Sequence, residues 1–299
     1  MISPEQAIDR LSAPFHAPPG YRAAHAKGAF YAGTFTATPE ATALCRAAHL
    51  DGTPTPVLVR WSNGAGTSAW PDGKPDIRGM ALRFQTPAGD TDLLCQTSPR
   101  FPTDDPAVFV EMAEPAVHQW KLPLFMARHP RTIGPLLEGM RRDALPKPVS
   151  YAEVPYFPIH AYGWRDADDR RTWVRYEMHP VATKADRLPE TFSGPDRLRD
   201  EIVARLDRGP VEFDLHVQVA GDGDDPHSAV SVWDHPRDFV AGRVTVAAPV
   251  GDPEQGDEVV VFDPTRIIDG LELSDDPILR YRPLAYAESV KRRQGVARG

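Results

Sequence analysis

Three residues near the C-terminal end place a phenol and two guanidinium groups on one face of a predicted helix. Arg282, Tyr286 and Arg293 are separated by four and seven residues, so a helix brings their side chains to the same side. A guanidinium one turn from a phenol favours the phenolate, which is an anionic oxygen ligand suited to ferric iron. The same spacing also fits a tyrosine packed in the core beside solvated arginines, so both interpretations stay open on spacing alone.

A histidine flanked by small residues lies just before the first predicted strand. His25 stands in the run RAAHAKG (residues 22–28), where it can project into a cavity and move protons near neutral pH. A hydrogen-bonded structural histidine is the alternative. Further along, Ser62 could orient an imidazole and Arg60 could pair with a carboxylate, although an ordinary strand end followed by a turn explains this segment equally well.

The elements that must position these residues are a mixture of strands and helices. Prolines divide residues 104–145 into short helices, and longer helices are predicted at 193–208, capped by Ser193, and from Pro277 to about residue 293. Strand patterns occur at 28–37, 57–62, 78–86, 92–95, 172–179, 211–219, 242–250 and 258–262. This order predicts a single α+β domain over residues 1–299, built on an antiparallel sheet or barrel.

Composition narrows the class of protein. The net charge of -8, from 34 basic and 42 acidic residues, argues against a nucleic-acid binder that relies on a broad basic field. No apolar run approaches the roughly 18 residues needed to span a bilayer, and the first residues lack the pattern of a signal peptide. We therefore expect a cytoplasmic protein without nucleic-acid or membrane partners, in which Cys45 and Cys95 are buried free thiols.

Taken in order, the segments before residue 110 resemble the haem-dependent catalase family. RAAHAKG at 22–28 resembles the family's distal histidine segment R-x-x-H-A-K-G, and VRWS at 59–62 resembles its V-R-F-S segment. DIRGMALRF at 76–84 is similar to D-P-R-G-F-A-x-K-F, and DLLCQTSP at 92–99 falls where the family has D-L-V-G-N-N-T-P. Phe109 matches the phenylalanine that stacks on the haem.

Two later segments resemble the proximal motifs of the same family. FDPT at 262–265 looks like F-D-P-[ST], and RPLAY at 282–286 looks like R-x-x-x-Y. The resemblance extends over residues 21–293 and leaves little room for the N-terminal arm and C-terminal extensions of full-length members. The chain therefore looks like the small catalase-related peroxidases. The resemblance implies an antiparallel eight-stranded β-barrel with surrounding helices.

The same resemblance implies haem b as cofactor. A phenolate from Tyr286 would be the axial ligand of the ferric iron, and Arg282 would keep it ionised. Arg22, Arg60 and Arg293 match positions that pair with the haem propionates, which would otherwise be costly to bury.

On the other face of the haem, the resemblance assigns the residues that handle hydrogen peroxide. His25 would move a proton from one peroxide oxygen to the other, Ser62 would orient His25, and Gln96 would hydrogen-bond the peroxide. Asp76 matches the aspartate of the peroxide channel. Gly64 replaces a branched residue that narrows this channel in many relatives.

Departures from the family pattern bear on the reaction. Gln96 stands where an asparagine is expected, and Gly64 and Ala24 replace larger residues, so the pocket is looser or shifted. We therefore expect a peroxidase that oxidises a small organic electron donor and has weak catalase activity. The alternatives are rearrangement of a fatty-acid hydroperoxide, as in allene oxide synthases, and a haem carrier or sensor without turnover. A homo-oligomer is compatible with all three.

Overall fold

The structure is a computed structural model that describes residues 2–17, 19–234, 237–252 and 259–296. Its helices are α1 (Pro4–Ser12), α2 (Pro39–Leu44), α3 (Pro106–Glu111), α4 (Ala113–Val117), α5 (Leu122–Arg128), α6 (Ile133–Arg141), α7 (Arg197–Leu206) and α8 (Pro277–Arg293). Its strands are β1 (Gly28–Ala37), β2 (Thr55–Asn63), β3 (Arg78–Thr86), β4 (Gly89–Gln96), β5 (Tyr162–Arg165), β6 (Arg171–Pro180), β7 (Val211–Val219), β8 (Arg237–Pro249) and β9 (Leu271–Leu273).

The strands form one curled sheet in the order β4-β3-β2-β1-β8-β7-β6-β5-β9, and neighbouring strands pair antiparallel. The predicted α+β class with an antiparallel barrel-like sheet is confirmed. The sheet has nine strands rather than eight, because the short strand β9 pairs with β5 at one edge. Neither β5 nor β9 was predicted, since three or four residues are too few to show a period of two.

The strict alternation in β7 shows why the sheet has one apolar face. Val211, Phe213, Leu215 and Val217 are buried in the main core, whereas the intervening residues are partly exposed. Strand alternation places these four side chains on one face of β7. The same core contains side chains from both halves of the sheet, including Trp61 of β2.

Helices α1 and α8 pack together. The Tyr281 hydroxyl donates to the carbonyl of Ile2, and Arg292 lies 2.6 Å from the Asp9 carboxylate. The predicted start of α8 is confirmed, because the Asp276 side chain accepts hydrogen bonds from the first backbone N–H groups of the helix. Among the residues that the structure describes, no helix has both the length and the apolar character needed to cross a membrane.

Helix α7 begins at Arg197 rather than at the predicted Ser193. Gly194 has φ of +92° and cannot belong to a right-handed helix, so Ser193 does not cap it. A distant residue takes over that role, since the Asp72 carboxylate accepts from the backbone N–H of Leu198 at 2.8 Å. This start could not be found locally, because its capping group comes from another part of the chain.

The strand predicted at 258–262 is also wrong where it can be assessed. Glu258 lies outside the described residues, and residues 259–262 form no strand. The backbone carbonyl groups there serve arginine side chains instead: Val260 accepts from Arg22 at 2.9 Å, and Val261 accepts from Arg266 at 3.0 Å.

Candidate active site

A row of residues in register crosses the first four strands. Gly28 of β1 pairs with Ser62 of β2, which pairs with Gly79 of β3, which pairs with Gln96 of β4. Their neighbour Trp61 points into the main core, so strand alternation directs this row to the opposite face of the sheet. Two of the four positions are glycine, and the row therefore leaves space above the strands.

His25 occupies that space. Its Nδ1 lies 3.0 Å from the Ser62 hydroxyl oxygen. A Cβ atom at Gly79 would lie 2.7 Å from both His25 Nδ1 and Ser62 Oγ, closer than real contacts allow. Gly79 is therefore required for the imidazole to reach Ser62.

The backbone of His25 is held in an unusual conformation. Its φ of +55° lies in the left-handed region, which costs on the order of 1 kcal/mol for a residue other than glycine. The N–H of His25 donates to the carbonyl of Gly64 at 3.0 Å, and the His25 carbonyl accepts from the Arg60 guanidinium at 3.0 Å. These two bonds fix the direction in which the imidazole projects.

The surroundings of His25 keep its ring neutral. Burial lowers the pKa of His25 to about 3, with further lowering by the positive charges of Arg60, Arg282 and Arg22. At neutral pH His25 is therefore unprotonated, and one of its ring nitrogens has a free lone pair.

On α8, the predicted pair of Tyr286 and Arg282 forms. Arg282 Nε donates to the Tyr286 hydroxyl oxygen at 2.8 Å, as the four-residue spacing predicts. Arg282 also contacts the buried His160, since its NH1 lies 2.9 Å from His160 Nε2. His160 Nδ1 in turn lies 2.7 Å from the Asp276 carboxylate, and both residues are buried.

The hydrogen bonds from Tyr286 to Asp276 fix which nitrogen of His160 carries the proton. Arg282 can only donate, so His160 Nε2 must accept. His160 Nδ1 must therefore carry the proton and donate a hydrogen bond to Asp276. Burial lowers the pKa of His160, which agrees with a neutral ring. Burial alone would raise the pKa of Asp276, but the hydrogen bond from His160 and those from the start of α8 lower it overall. This series of hydrogen bonds thus holds the cationic Arg282 against the Tyr286 oxygen.

Three further predicted residues lie around these groups. The Phe109 ring stacks on Phe101 with centroids 4.3 Å apart, and it packs against the apolar cluster that contains Ala285, next to Tyr286. Gln96 exchanges backbone hydrogen bonds with Phe157 and stands beside Gly79 in register. Arg293 is buried at the end of α8, about 10 Å along the helix axis from Tyr286.

The two predicted channel residues are in contact. The Asp76 carboxylate accepts from the N–H of Ala65 at 3.1 Å, and a Cβ atom at Gly64 would lie 3.0 Å from Asp76 Oδ1. Burial raises the pKa of Asp76 to about 6, against the lowering effect of these backbone donors and of Arg78. A larger residue at position 64 would have to displace Asp76 or Ile77.

The donor set fits the haem that the resemblance implies. The Tyr286 phenol oxygen, which receives a hydrogen bond from a guanidinium, is the type of oxygen donor that ferric iron binds. Arg22, Arg60 and Arg282 bring positive charge close enough to His25 to lower its pKa, and guanidinium groups are suited to bind carboxylates such as the haem propionates.

Sequence reasoning missed three residues of this site. Gly79 lies in the segment DIRGMALRF at 76–84, but nothing in the sequence shows that it makes room for His25. His160 and Asp276 lie 116 residues apart, and only the fold brings them together. Asp276 carried a detectable signal as a helix cap, which its bonds to α8 confirm.

Comparison with known proteins gives consistent matches. The family model described as Catalase matches residues 9–298. A catalase-related peroxidase of Mycolicibacterium paratuberculosis is 42% identical over 305 residues, covering 100% of this chain and 97% of the relative. A catalase-related peroxidase of Synechococcus elongatus is 26% identical, covering 98% and 89%. A catalase of Latilactobacillus sakei is 26% identical, covering 92% and 62%.

Solved structures agree on the fold. A bacterial catalase has a TM-score of 0.74 at 23% identity, covering 96% of this chain and 60% of that chain. A fungal catalase has a TM-score of 0.75 at 19% identity, covering 97% and 62%. This chain therefore spans about three fifths of the length of those two catalases. Because the family model matches nearly all of it and one full-length relative is 42% identical, the chain belongs to the catalase family.

Proposed function

We propose that this protein is a haem b-dependent peroxidase that cleaves hydrogen peroxide and oxidises a small organic electron donor, with weak release of oxygen. Membership of the catalase family supports a reaction with peroxide, and two relatives bear the name catalase-related peroxidase. The observation that carries the proposal is the neutral His25 hydrogen-bonded to Ser62, in a pocket that also receives positive charge from Arg282 of the Tyr286 pair.

The haem would be held by residues from both sides of the site. Tyr286 would supply an oxygen ligand to the iron, and Arg22, Arg60 and Arg293 would bind the two propionates. When bound, haem would supply the iron and the two electrons that cleavage of the peroxide O–O bond requires.

His25 would move one proton within the peroxide. With its Nδ1–H donating to Ser62 Oγ, the ring would present the lone pair of Nε2 to one oxygen of hydrogen peroxide and accept its proton. The same nitrogen would then give the proton to the other peroxide oxygen, which leaves as water. The hydrogen bond to Ser62 would orient the ring, and Gln96 would offer an amide donor from β4, where it is in register with Gly79.

The choice between donor oxidation and oxygen release depends on the fit of a second peroxide molecule. Gln96 is one methylene longer than the asparagine of the family pattern, and Ala24 stands where the family pattern has a larger residue. Both features support a pocket in which a second peroxide is held less accurately, so an organic donor reduces the enzyme more often.

Parallel steady-state assays test this proposal. We expect oxidation of a phenolic dye by hydrogen peroxide to exceed oxygen release measured at an electrode. Rapid oxygen release with negligible dye oxidation would contradict it. Rearrangement of a lipid hydroperoxide without added reductant would support the allene oxide synthase alternative. Normal haem binding without any reaction with peroxide would support a carrier.

The proposal also includes a cytoplasmic location, one domain over residues 1–299 and room for a homo-oligomer. These three points stay predictions. Gel filtration with light scattering would measure the mass of the assembly, and limited proteolysis would test for a domain boundary.

A further inference from the structure

A second cavity lies outside the site described above. It has a volume of about 540 Å³ and opens between the start of β6, strand β9 and the first turn of α8. Cavities of roughly 300–1,000 Å³ are typical of small-molecule sites. Its lining combines aromatic, aliphatic, cationic and anionic side chains, which include Trp173, His227, Arg171, Arg280, Glu272 and Asp275. We name it the β9 cleft.

The apolar part of the β9 cleft suits a small aromatic ring. Trp173 is partly exposed, and the His227 ring meets it edge-on with centroids 5.2 Å apart. Leu271 and Leu273 of β9 add aliphatic surface. An aromatic ligand can stack or pack edge-on against such a wall, which contributes about 0.5–1.5 kcal/mol beyond its buried area.

The charges of the cleft leave one arginine available to an anion. Glu272 is neutralised from two sides, by Arg165 at 2.8 Å and by Arg171 at 3.0 Å. Among the ion pairs of the described residues, Arg280 has one partner, the exposed Asp275 carboxylate at 3.1 Å, and it also donates to the carbonyl of Leu273 at 3.3 Å. Exposed pairs of this kind are weak, so the carboxylate of a ligand can replace Asp275 on Arg280.

Hydrogen bonds link the β9 cleft to the series Asp276, His160, Arg282 and Tyr286. The backbone N–H of Asp275 donates to His227 Nδ1 at 2.9 Å. The next residue, Asp276, binds His160, and His160 is linked through Arg282 to the Tyr286 oxygen. A ligand that contacts His227 is therefore connected to the Tyr286 oxygen by one peptide unit and a series of hydrogen bonds.

We propose that the β9 cleft binds the organic electron donor, and that this donor is a phenol bearing a carboxylate. This inference rests on the proposed function. The ring would pack on Trp173, and the carboxylate would bind Arg280. Each donor gives up one electron and its phenolic proton to become a phenoxyl radical. Two donors thus supply the two electrons and two protons that convert one hydrogen peroxide into two waters.

Calorimetric titration of the haem-loaded enzyme without peroxide tests binding separately from turnover. The probes are 4-hydroxyphenylacetate and its neutral counterpart 4-hydroxyphenylethanol. We expect Arg280→Gln to weaken binding of the carboxylate about tenfold and to leave the neutral probe unchanged, since only a charge-assisted hydrogen bond is lost. Trp173→Ala should weaken both probes by a similar factor. Unchanged binding of the neutral probe also shows that Arg280→Gln is folded.

Two exposed residues that do not line the β9 cleft provide matched controls. Trp120→Ala and Arg131→Gln remove the same side-chain types from the α5 region and should leave binding of both probes unchanged. Failure of the wild-type enzyme to bind 4-hydroxyphenylacetate, or equal binding by Arg280→Gln, would overturn the inference.

Kinetics separate this inference from the proposed function. In the two cleft variants we expect the fold increase in the KM for 4-hydroxyphenylacetate to be about ten times the fold increase in the KM for peroxide. Saturable donor oxidation with wild-type KM values in both variants would place the donor elsewhere and leave the peroxidase function intact. Absence of any donor oxidation would contradict the peroxidase function, and the titration would still decide whether the cleft binds the probe.

Discussion

The two sides of the candidate site are built on different elements and held by different forces. The distal side, formed by His25, Ser62 and Gly79, depends on strand register, on a missing side chain and on backbone hydrogen bonds. The proximal side is a chain of charged and polar groups from Tyr286 to Asp276. One side keeps a histidine neutral, whereas the other keeps a cation beside an oxygen.

This difference predicts different responses to mutation. On the distal side, adding a methyl group should be as harmful as removing a functional group, because the imidazole fits against a bare backbone. On the proximal side, shape should matter less than the order of donors and acceptors, so a replacement that preserves this order should restore function.

Replacing the distal base should have the largest effect. We expect His25→Ala to slow the reaction with hydrogen peroxide by about 10²–10⁴-fold, because the proposed mechanism assigns the proton transfer to His25. The haem content should stay at the wild-type level. Stopped-flow absorbance measures the rate, and His129→Ala, which alters a histidine paired with Glu111, is the control. A rate near that of the wild type would remove His25 from the mechanism.

A methyl group at position 79 should have the next largest effect. Gly79→Ala places a carbon within 2.7 Å of His25 Nδ1 and Ser62 Oγ, so the ring must move away from Ser62. We expect about a tenfold or greater loss of the rate with peroxide and about 1–3 kcal/mol of destabilisation. Gly73→Ala is matched, since nothing lies within 4 Å of its added carbon. Equal rates in both variants would show that the distal side does not depend on this close contact.

The order of donors on the proximal side is tested at His160. His160→Leu removes the link between Arg282 and Asp276 and should weaken haem affinity about tenfold. His160→Gln, whose amide can donate to Asp276 and accept from Arg282, should recover most of the loss. Haem titration followed by absorbance measures both. Equal affinity of the leucine and glutamine variants would show that the polar chain does not position Tyr286.

The smallest effect concerns Asp76 and stability. Its pKa is raised from 3.8 to about 6 by burial, so the folded protein favours the protonated form, and stability falls as pH rises through about 6. Asp76→Asn should therefore raise the free energy of unfolding by about 2 kcal/mol at pH 8 and leave it unchanged at pH 4. Thermal melts at the two pH values test this, with Asp222→Asn in an exposed loop as control. A gain that is equal at both pH values would contradict the linkage.

The sequence predicted the local parts of both sides. The four-residue spacing of Arg282 and Tyr286 predicted their contact, and the family resemblance placed His25 and Ser62 together. It could not show the role of Gly79, because a glycine has no side chain whose chemistry could be recognised. Nor could it show that His160 lies between Arg282 and Asp276, because this contact depends on the tertiary fold.

The same limit applies to the elements. Strand β7 was predicted with its observed bounds, because nine alternating residues give a strong signal. The start of α7 was predicted four residues too early, because Asp72 caps it from far away in the chain. The apolar residues 259–262 looked like a strand, but their carbonyl groups bind arginines.

The central claim is that His25 and Tyr286 act on opposite sides of one haem to cleave peroxide. The absorption spectrum of the purified protein, before and after one equivalent of hydrogen peroxide, tests it most directly. We expect the initial spectrum to be that of ferric haem with an anionic oxygen ligand. It should change within the mixing time in the wild type, remain unchanged in His25→Ala, and return when a phenolic donor is added. A haem spectrum that peroxide does not alter in the wild type would contradict the account.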